Sequence, residues 1–357
     1  MDFIGYFTPA AVTEFLTTYD PNNNTAYLGR GLFPAKKKAG LDLAWFTGHR
    51  GVPISLMPSA FDAKATFRDR IGFSKLETEM PFFREGFKIK ERERQNLFRA
   101  LDSNDPYAQE AINFVFDDVA ELRAAAAVVP ERMIMQLLFP VDGNLGISIK
   151  ANGVDYTYNY DPDGSWKTDN YIALSGADLW TAPDTADPFA AFKQAKDAIR
   201  NKTGSVPTIA LMNGNTFNLL LNMASIKDRF LTTNGRSFSY LSEAEVKSVV
   251  SGMNSLTIAT YDKTYRDEDG NVHTYVPDGY VALLPSGSLG NTWYGTTPEE
   301  ADLMGQDTNA QVSIIDTGVA ITRIVEEHPV NINFFASEIV LPSFERMSEV
   351  AVLKVTD

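Results

Sequence analysis

Cysteine is absent from all 357 residues, which removes disulfides, thiolate nucleophiles and cysteine metal sites. A reducing birthplace fits that absence without being proved by it. Histidine is nearly as scarce. His49, His273 and His328 never fall at helical metal-ligand spacing, and no H-E-x-x-H occurs. No apolar run reaches the length of about 18 residues that a membrane span needs, so none is expected. The start, MDFIGYFTPAAV, has no Lys or Arg ahead of its apolar residues, so no secretory leader is expected and synthesis in the cytoplasm is. Phosphate-cradling glycine loops are missing, and Ser286-Gly-Ser-Leu-Gly290 does not match the nucleophile elbow G-x-S-x-G.

Positive charge is also in short supply. The net charge of −14 disfavours tight nonspecific binding to nucleic acid. The deficit is uneven: residues 1–100 hold 15 Lys/Arg against 11 Asp/Glu, a net +4, while the remainder holds 17 against 35, a net −18. A mildly basic arm on an acidic body suits self-association, arm of one copy on body of the next. A chance split accounts for the charge pattern alone equally well.

What is present is ordinary globular material, 44% hydrophobic and 22% charged, enough for two or three compact units at roughly 100–200 residues each. Residues 1–45 read as an arm, with a short helical pattern from Pro9 to Tyr19, turn chemistry at Asp20–Asn24 and a basic cluster at Lys36, Lys37 and Lys38. Residues 46–90 are punctuated by Gly48, Gly51, Pro53, Pro58, Gly72, Pro81 and Gly86. They lack the periodicity of a core helix, so an extended loop packing on another chain is expected. Its aromatics Phe61, Phe67, Phe73, Phe82, Phe83 and Phe87, with Arg68 and Arg70 and the arm's Lys36, Lys37 and Lys38, are the candidate intersubunit contacts.

Ala108, Ile112, Val115, Val119 and Leu122 step by four and three, the apolar stripe of a long helix over 107–129. Asp105 is its expected cap, and Pro130 is expected to break or kink it ahead of a second helical piece over 131–139. Residues 145–160 predict a hairpin about Asn152-Gly153. Beyond it, helices are expected over 188–202, 215–223 and 242–251. Strands are expected over 207–212, 256–261, 280–284, 319–325, 332–340 and 350–355. Without a βαβ rhythm, the class is α+β.

The chemistry-bearing clusters are weak. Glu326-Glu327-His328 lies on an extended segment whose successive side chains diverge. Asp267–Asn271 lacks the bidentate Glu of a calcium loop and reads as a hairpin tip. Tyr156, Tyr158 and Tyr160 share a strand face, for sheet packing more readily than for sugar stacking. Neither catalysis nor a cofactor or metal is expected; a tail or adhesin module, and less readily a hydrolase, are the competing readings.

Three stretches, in this order, carry a resemblance. Glu131-Arg-Met-Ile-Met-Gln-Leu-Leu-Phe139 leads into the hairpin. Pro277-Asp-Gly-Tyr-Val-Ala-Leu-Leu-Pro285 is followed by Trp293-Tyr-Gly-Thr-Thr-Pro-Glu-Glu300. Ala336-Ser-Glu-Ile-Val-Leu-Pro342 precedes Val350-Ala-Val-Leu-Lys-Val355. With them the chain resembles the lambda-type phage major capsid protein E family, of the Hong Kong 97-like fold, over nearly its whole length. The resemblance implies an N-terminal arm (1–45), an extended loop (46–90), a peripheral domain with spine helix and hairpin (91–160), an axial domain (161–318) and C-terminal strands returning to the peripheral domain (319–357). It further implies hexamers and pentamers forming an icosahedral shell around double-stranded DNA, in a virion assembled in the host bacterial cytoplasm. A separate scaffolding protein, a portal and, optionally, a decoration protein are the implied partners. Lys64 and Lys75 lie in the loop, but no motif carries the covalent cross-linking of some relatives onto them.

Overall fold

The computed structural model describes residues 8–18, 27–47, 74–102, 107–151, 153–234, 241–303 and 309–357. The helices are α1 (Pro9–Thr18), α2 (Leu28–Leu32), α3 (Glu91–Asp102), α4 (Tyr107–Leu138), α5 (Ser165–Asn170), α6 (Pro188–Thr203), α7 (Gly214–Asn222), α8 (Ala224–Asn234) and α9 (Glu243–Asn254). The strands begin with β1 (Ala35–Lys37), β2 (Asp42–Thr47), β3 (Ser74–Glu79), β4 (Phe82–Ile89), β5 (Gly146–Ala151), β6 (Val154–Asn159), β7 (Tyr171–Ala173) and β8 (Ile209–Met212). They continue with β9 (Thr257–Thr260), β10 (Thr264–Arg266), β11 (Val272–Thr274), β12 (Tyr280–Leu284), β13 (Asn291–Tyr294), β14 (Ala310–Ile315), β15 (Val319–Val325), β16 (Ile332–Ser343) and β17 (Ala351–Lys354). The chain divides into two compact units, one of residues 1–44, 77–132 and 291–343, the other of 45–76, 133–290 and 344–357.

In the first unit β16 is the trunk of the sheet. It pairs antiparallel with β15 from Val325↔Ile332 to Ala320↔Ser337 and with β4 from Ile332↔Ile89 to Ile339↔Phe82. Its last residues take β13, from Tyr294↔Val340 to Asn291↔Ser343. β14 extends the sheet beyond β15, and β1 lies parallel along β13. Strand alternation sends Ile332, Phe334 and Ala336 to one face. There they form a core with Val12 and Leu16 of α1 and Val115, Val119, Leu122 and Ala126 of α4. Burying each of the larger side chains stabilises by roughly 1.5–3 kcal/mol.

Two expectations change here. The stretch 82–89, assigned from sequence to an extended loop, is a strand of this sheet, because Phe87 and Ile89 supply apolar side chains to the same core. At Pro130, where a break or a kink was expected, there is no break: α4 runs from Tyr107 to Leu138 with the proline inside it. A helical proline crowds the carbonyl four residues back. That residue is Ala126. The expected cap Asp105 lies outside the described residues.

The second unit is built on a sheet in the order β7-β17-β12-β8-β9. Every residue of β12, Tyr-Val-Ala-Leu-Leu, is buried, as a central strand covered on both faces requires. β8 and β9 are parallel, joined through α7, α8 and α9, so a crossover exists although no βαβ rhythm is visible in the sequence. Val281, Leu283, Ala351 and Leu353 of the sheet pack with Phe192 and Ala195 of α6, Leu220 of α7 and Val246 and Val250 of α9. Local signals place several ends. Asp187 caps α6, accepting from the Phe189 and Ala190 amides, and Gly204 closes it at φ 76°. Ser242 and Glu245 form the capping box of α9.

The hairpin β5–β6 has the register of a two-residue turn, Ala151↔Val154, and Gly153 takes the positive φ that such a turn needs. The division of the chain differs from the sequence expectation. The hairpin and residues 344–357 fall in the second unit, and 291–318 in the first. β17 is the reason for the C-terminal difference: it pairs with β12 and β7.

Candidate assembly surfaces

The basic cluster lies on and just after β1. All three residues of that strand are exposed, and their backbone is held along β13. The side chains are engaged within their own chain. Lys37 Nζ meets Glu300 at 2.5 Å, Lys38 Nζ donates to the Asp42 carbonyl at 2.6 Å, and Lys36 stands over the Trp293 ring at 5.4 Å. Lys37 therefore has an acidic partner inside the subunit, where the charge split alone suggested one on a neighbour. Such exposed pairs are worth about 0–1 kcal/mol and are screened by salt.

Of the candidate contacts in the extended stretch, Phe61, Phe67, Arg68, Arg70 and Phe73 lie outside the described residues. Its flanks are paired with each other, β2 with β3. Phe82, Phe83 and Phe87 are placed on β4. Phe87, half-buried, stacks on Phe334 of its own chain at 5.2 Å. Phe82 and Phe83 are half-buried, and Phe82 carries the Arg84 guanidinium over its ring at 4.8 Å.

On α4, Val115, Val119 and Leu122 are buried against the sheet. Ala108 and Ile112 belong to the helix, but their side chains lie outside the described set. Arg123 extends the tie beyond apolar contact. It donates to the Leu16 carbonyl of α1 and meets both Asp316 oxygens, at 2.9 and 3.2 Å. Asp118, on the outer side of α4, is pushed above the usual carboxylate range, first by partial burial and then by Glu121, Asp117 and Glu93.

Several acidic groups are engaged within the chain. Glu131 accepts the Gly29 amide at 2.9 and 3.2 Å. Glu299, buried, accepts from the Ser337 hydroxyl at 2.9 Å and from Arg84. Glu326 is held below its ordinary range by hydrogen bonds from Asn333, Asn331 and Lys88. Asp267 at the β10–β11 turn is lowered to about 2, chiefly by its hydrogen bond with His273, and also receives the Asn271 and Asp269 amides. Tyr156 and Tyr158 are half-buried, while Tyr160 is buried against Trp45 at 5.4 Å. Among the described residues, no group of three or more His, Asp or Glu is arranged to hold a metal ion, and no helix is long and apolar enough to cross a membrane. The pairs Arg84–Glu299 and Arg123–Asp316 were not visible in the sequence. Their members are 215 and 193 residues apart, so no local pattern marks them.

The family model described as phage major capsid protein E matches residues 8–355. No curated protein matches the chain. Among solved structures, a phage-related protein from Bordetella bronchiseptica RB50 is 13% identical, with 97% of this chain and 96% of that chain covered and a TM-score of 0.53. The capsid asymmetric unit of cyanophage A-1(L) gives 14% identity, 95% coverage of each chain and a TM-score of 0.52. At those identities the likeness speaks for the fold.

Proposed function

The chain belongs to the phage major capsid protein E family and has a Hong Kong 97-like capsid fold, and on that premise we propose that it builds the icosahedral head shell as hexamers and pentamers enclosing phage double-stranded DNA. The observation that carries the reading is the family match from residue 8 to residue 355, which takes in both compact units. The first unit, with α4 and the β16 sheet, serves as the peripheral part. The second, with β12 at its centre, serves as the axial part meeting its copies around the symmetry axes. The acidic net charge suits a wall that encloses DNA without binding its sequence. A separate scaffolding protein, a portal and optionally a decoration protein complete the particle.

The test is the particle itself. Purified chain, alone and with its phage's scaffolding protein, is followed by light scattering and electron microscopy over a concentration series. Rings or closed shells are expected. A strict monomer under every condition would falsify the proposal.

A further inference from the structure

Three glutamates of the first unit are buried: Glu131, Glu299 and Glu338. The first two have the donors described above. Glu338 is 1% exposed, and neither of its carboxylate oxygens has a hydrogen-bond partner among the described residues. Its place in the ladder accounts for both facts. Glu338 stands at the joint where β16 changes partner: pairing with β4 ends at Ile339↔Phe82, and pairing with β13 begins at Val340↔Tyr294. The residue directly opposite it is Phe83, whose side chain has nothing to donate. Strand alternation turns Glu338 to the face of Phe334 and Ala336, which apolar side chains of α1, α4 and β15 fill. Two backbone bonds close the joint, from the Val340 amide to the Pro81 carbonyl at 3.3 Å and from the Gly295 amide to the Ile339 carbonyl at 2.8 Å.

The charged and titratable groups on the surrounding elements leave it isolated. Glu14 on α1 and Glu85 on β4 are exposed. On α4, Glu131 accepts the Gly29 amide, Arg123 holds Asp316 of the β14–β15 turn, and Asp118 and Glu121 are exposed. Arg323 on β15 stands opposite Phe334, four residues back along β16. Tyr294 on β13 is buried on the same face as Glu338, and Arg30 on α2 is exposed over the Tyr27 ring; neither makes a hydrogen bond to Glu338. Burial pushes the Glu338 carboxyl well above the usual carboxylate range, and Arg30 opposes this more weakly.

An ionised carboxylate without donors is far costlier in such a place than a neutral one. We propose that Glu338 makes the joint of β4 and β13 on β16 pH-responsive: the closed joint holds Glu338 as the neutral acid, and losing that proton requires the joint to open and admit water. The linkage has a definite sign. A carboxyl that keeps its proton in the closed joint costs nothing below the ordinary range of Glu, and closure weakens as pH rises above that range. The closed-to-open ratio falls by up to about tenfold per pH unit until Glu338 ionises in place. The same factor applies to any opening that hydrates Glu338, whether confined to the joint or reaching the whole sheet.

Amide exchange at Gly295 and Val340 reads the joint directly, since these amides are bonded to Ile339 and Pro81 when it is closed. Wild type and Glu338→Gln are compared at each pH from about 4 to 9, which cancels the intrinsic pH dependence of exchange. Protection in the variant, relative to wild type, is expected to grow with pH. A ratio that stays constant over that range overturns the proposal and means that Glu338 has the same charge in the closed and open joint. If Glu338→Gln fails to fold, the infrared spectrum of wild-type protein decides. A protonated carboxylic acid band in the folded protein at neutral pH, lost on unfolding in denaturant at the same pH, supports the proposal. Its absence from the folded protein at neutral pH overturns it.

Discussion

Val119 and Leu122 sit in the middle of the α4 stripe, and what they touch decides what their loss costs. Both are buried among sheet residues of their own unit. Leu122→Ala leaves a cavity there and is expected to cost about 2–4 kcal/mol, read from denaturant unfolding of the isolated subunit. Val119→Asp buries a charge with no partner, at about 3–5 kcal/mol, and is expected to abolish soluble folded protein. A soluble, cooperatively folded Val119→Asp protein would mean that this face is not packed in the subunit. A second residue-scale prediction concerns Asp267. Its carboxyl is depressed to about 2, so its contribution is present above the ordinary Asp range and lost as pH falls through about 2. The Asp269 and Asn271 amides, which it accepts, are expected to stay protected to about pH 3 and to open below. A carboxyl titration by NMR at the ordinary Asp position would contradict this.

At the scale of elements, β4 is where the present structure departs most from a reading by composition. Pro81 just before it and Gly86 within it made 82–89 look like part of a loop, yet all eight of its residues pair with β16. Gly86 is there because there is no room for more: an added Cβ would lie 2.4 Å from the Phe334 carbonyl oxygen and 2.5 Å from the Phe335 ring. Gly86→Ala is expected to cost about 1–3 kcal/mol by forcing the strands apart, measured as a lower unfolding midpoint. The ends of α6 show the opposite case, in which local signals suffice. Asp187→Ala removes an acceptor for two amides and is expected to cost about 1 kcal/mol, while leaving the helix in place by circular dichroism. Caps and the Asn152-Gly153 turn were legible because their physics is local. The pairing partner of β4 was not, because it lies some 250 residues away.

For the whole molecule, the decisive question is what residues 48–73 contribute once copies meet. The sequence carries Phe61, Phe67 and Phe73 among glycines and prolines, too much aromatic surface for a segment that stays in water. Replacing 48–73 with a short Gly/Ser linker is expected to preserve cooperative unfolding and to abolish closed particles in electron micrographs. Replacing 82–89 instead is expected to destroy the fold, because β4 completes the sheet. Normal shells from the first variant would remove any role for that segment between subunits.

Hydrophobic spacing, capping residues and turn dipeptides were enough, by themselves, to establish an α+β chain with a long amphipathic helix, a tight hairpin and several terminal strands. The ordered motifs around Glu131–Phe139, Pro277–Pro285 and Ala336–Pro342 were enough to point to the capsid family. Tertiary structure alone decided that Pro130 stays inside α4, that β17 joins the second unit, and that Lys37 and Phe87 find partners in their own chain. It also decided that Glu338 is buried, with no hydrogen-bond partner for its carboxylate among the described residues. The physical reason is range: periodicity and caps act over a few residues, whereas a ladder, an ion pair or a desolvated carboxyl depends on which distant strand arrives beside it.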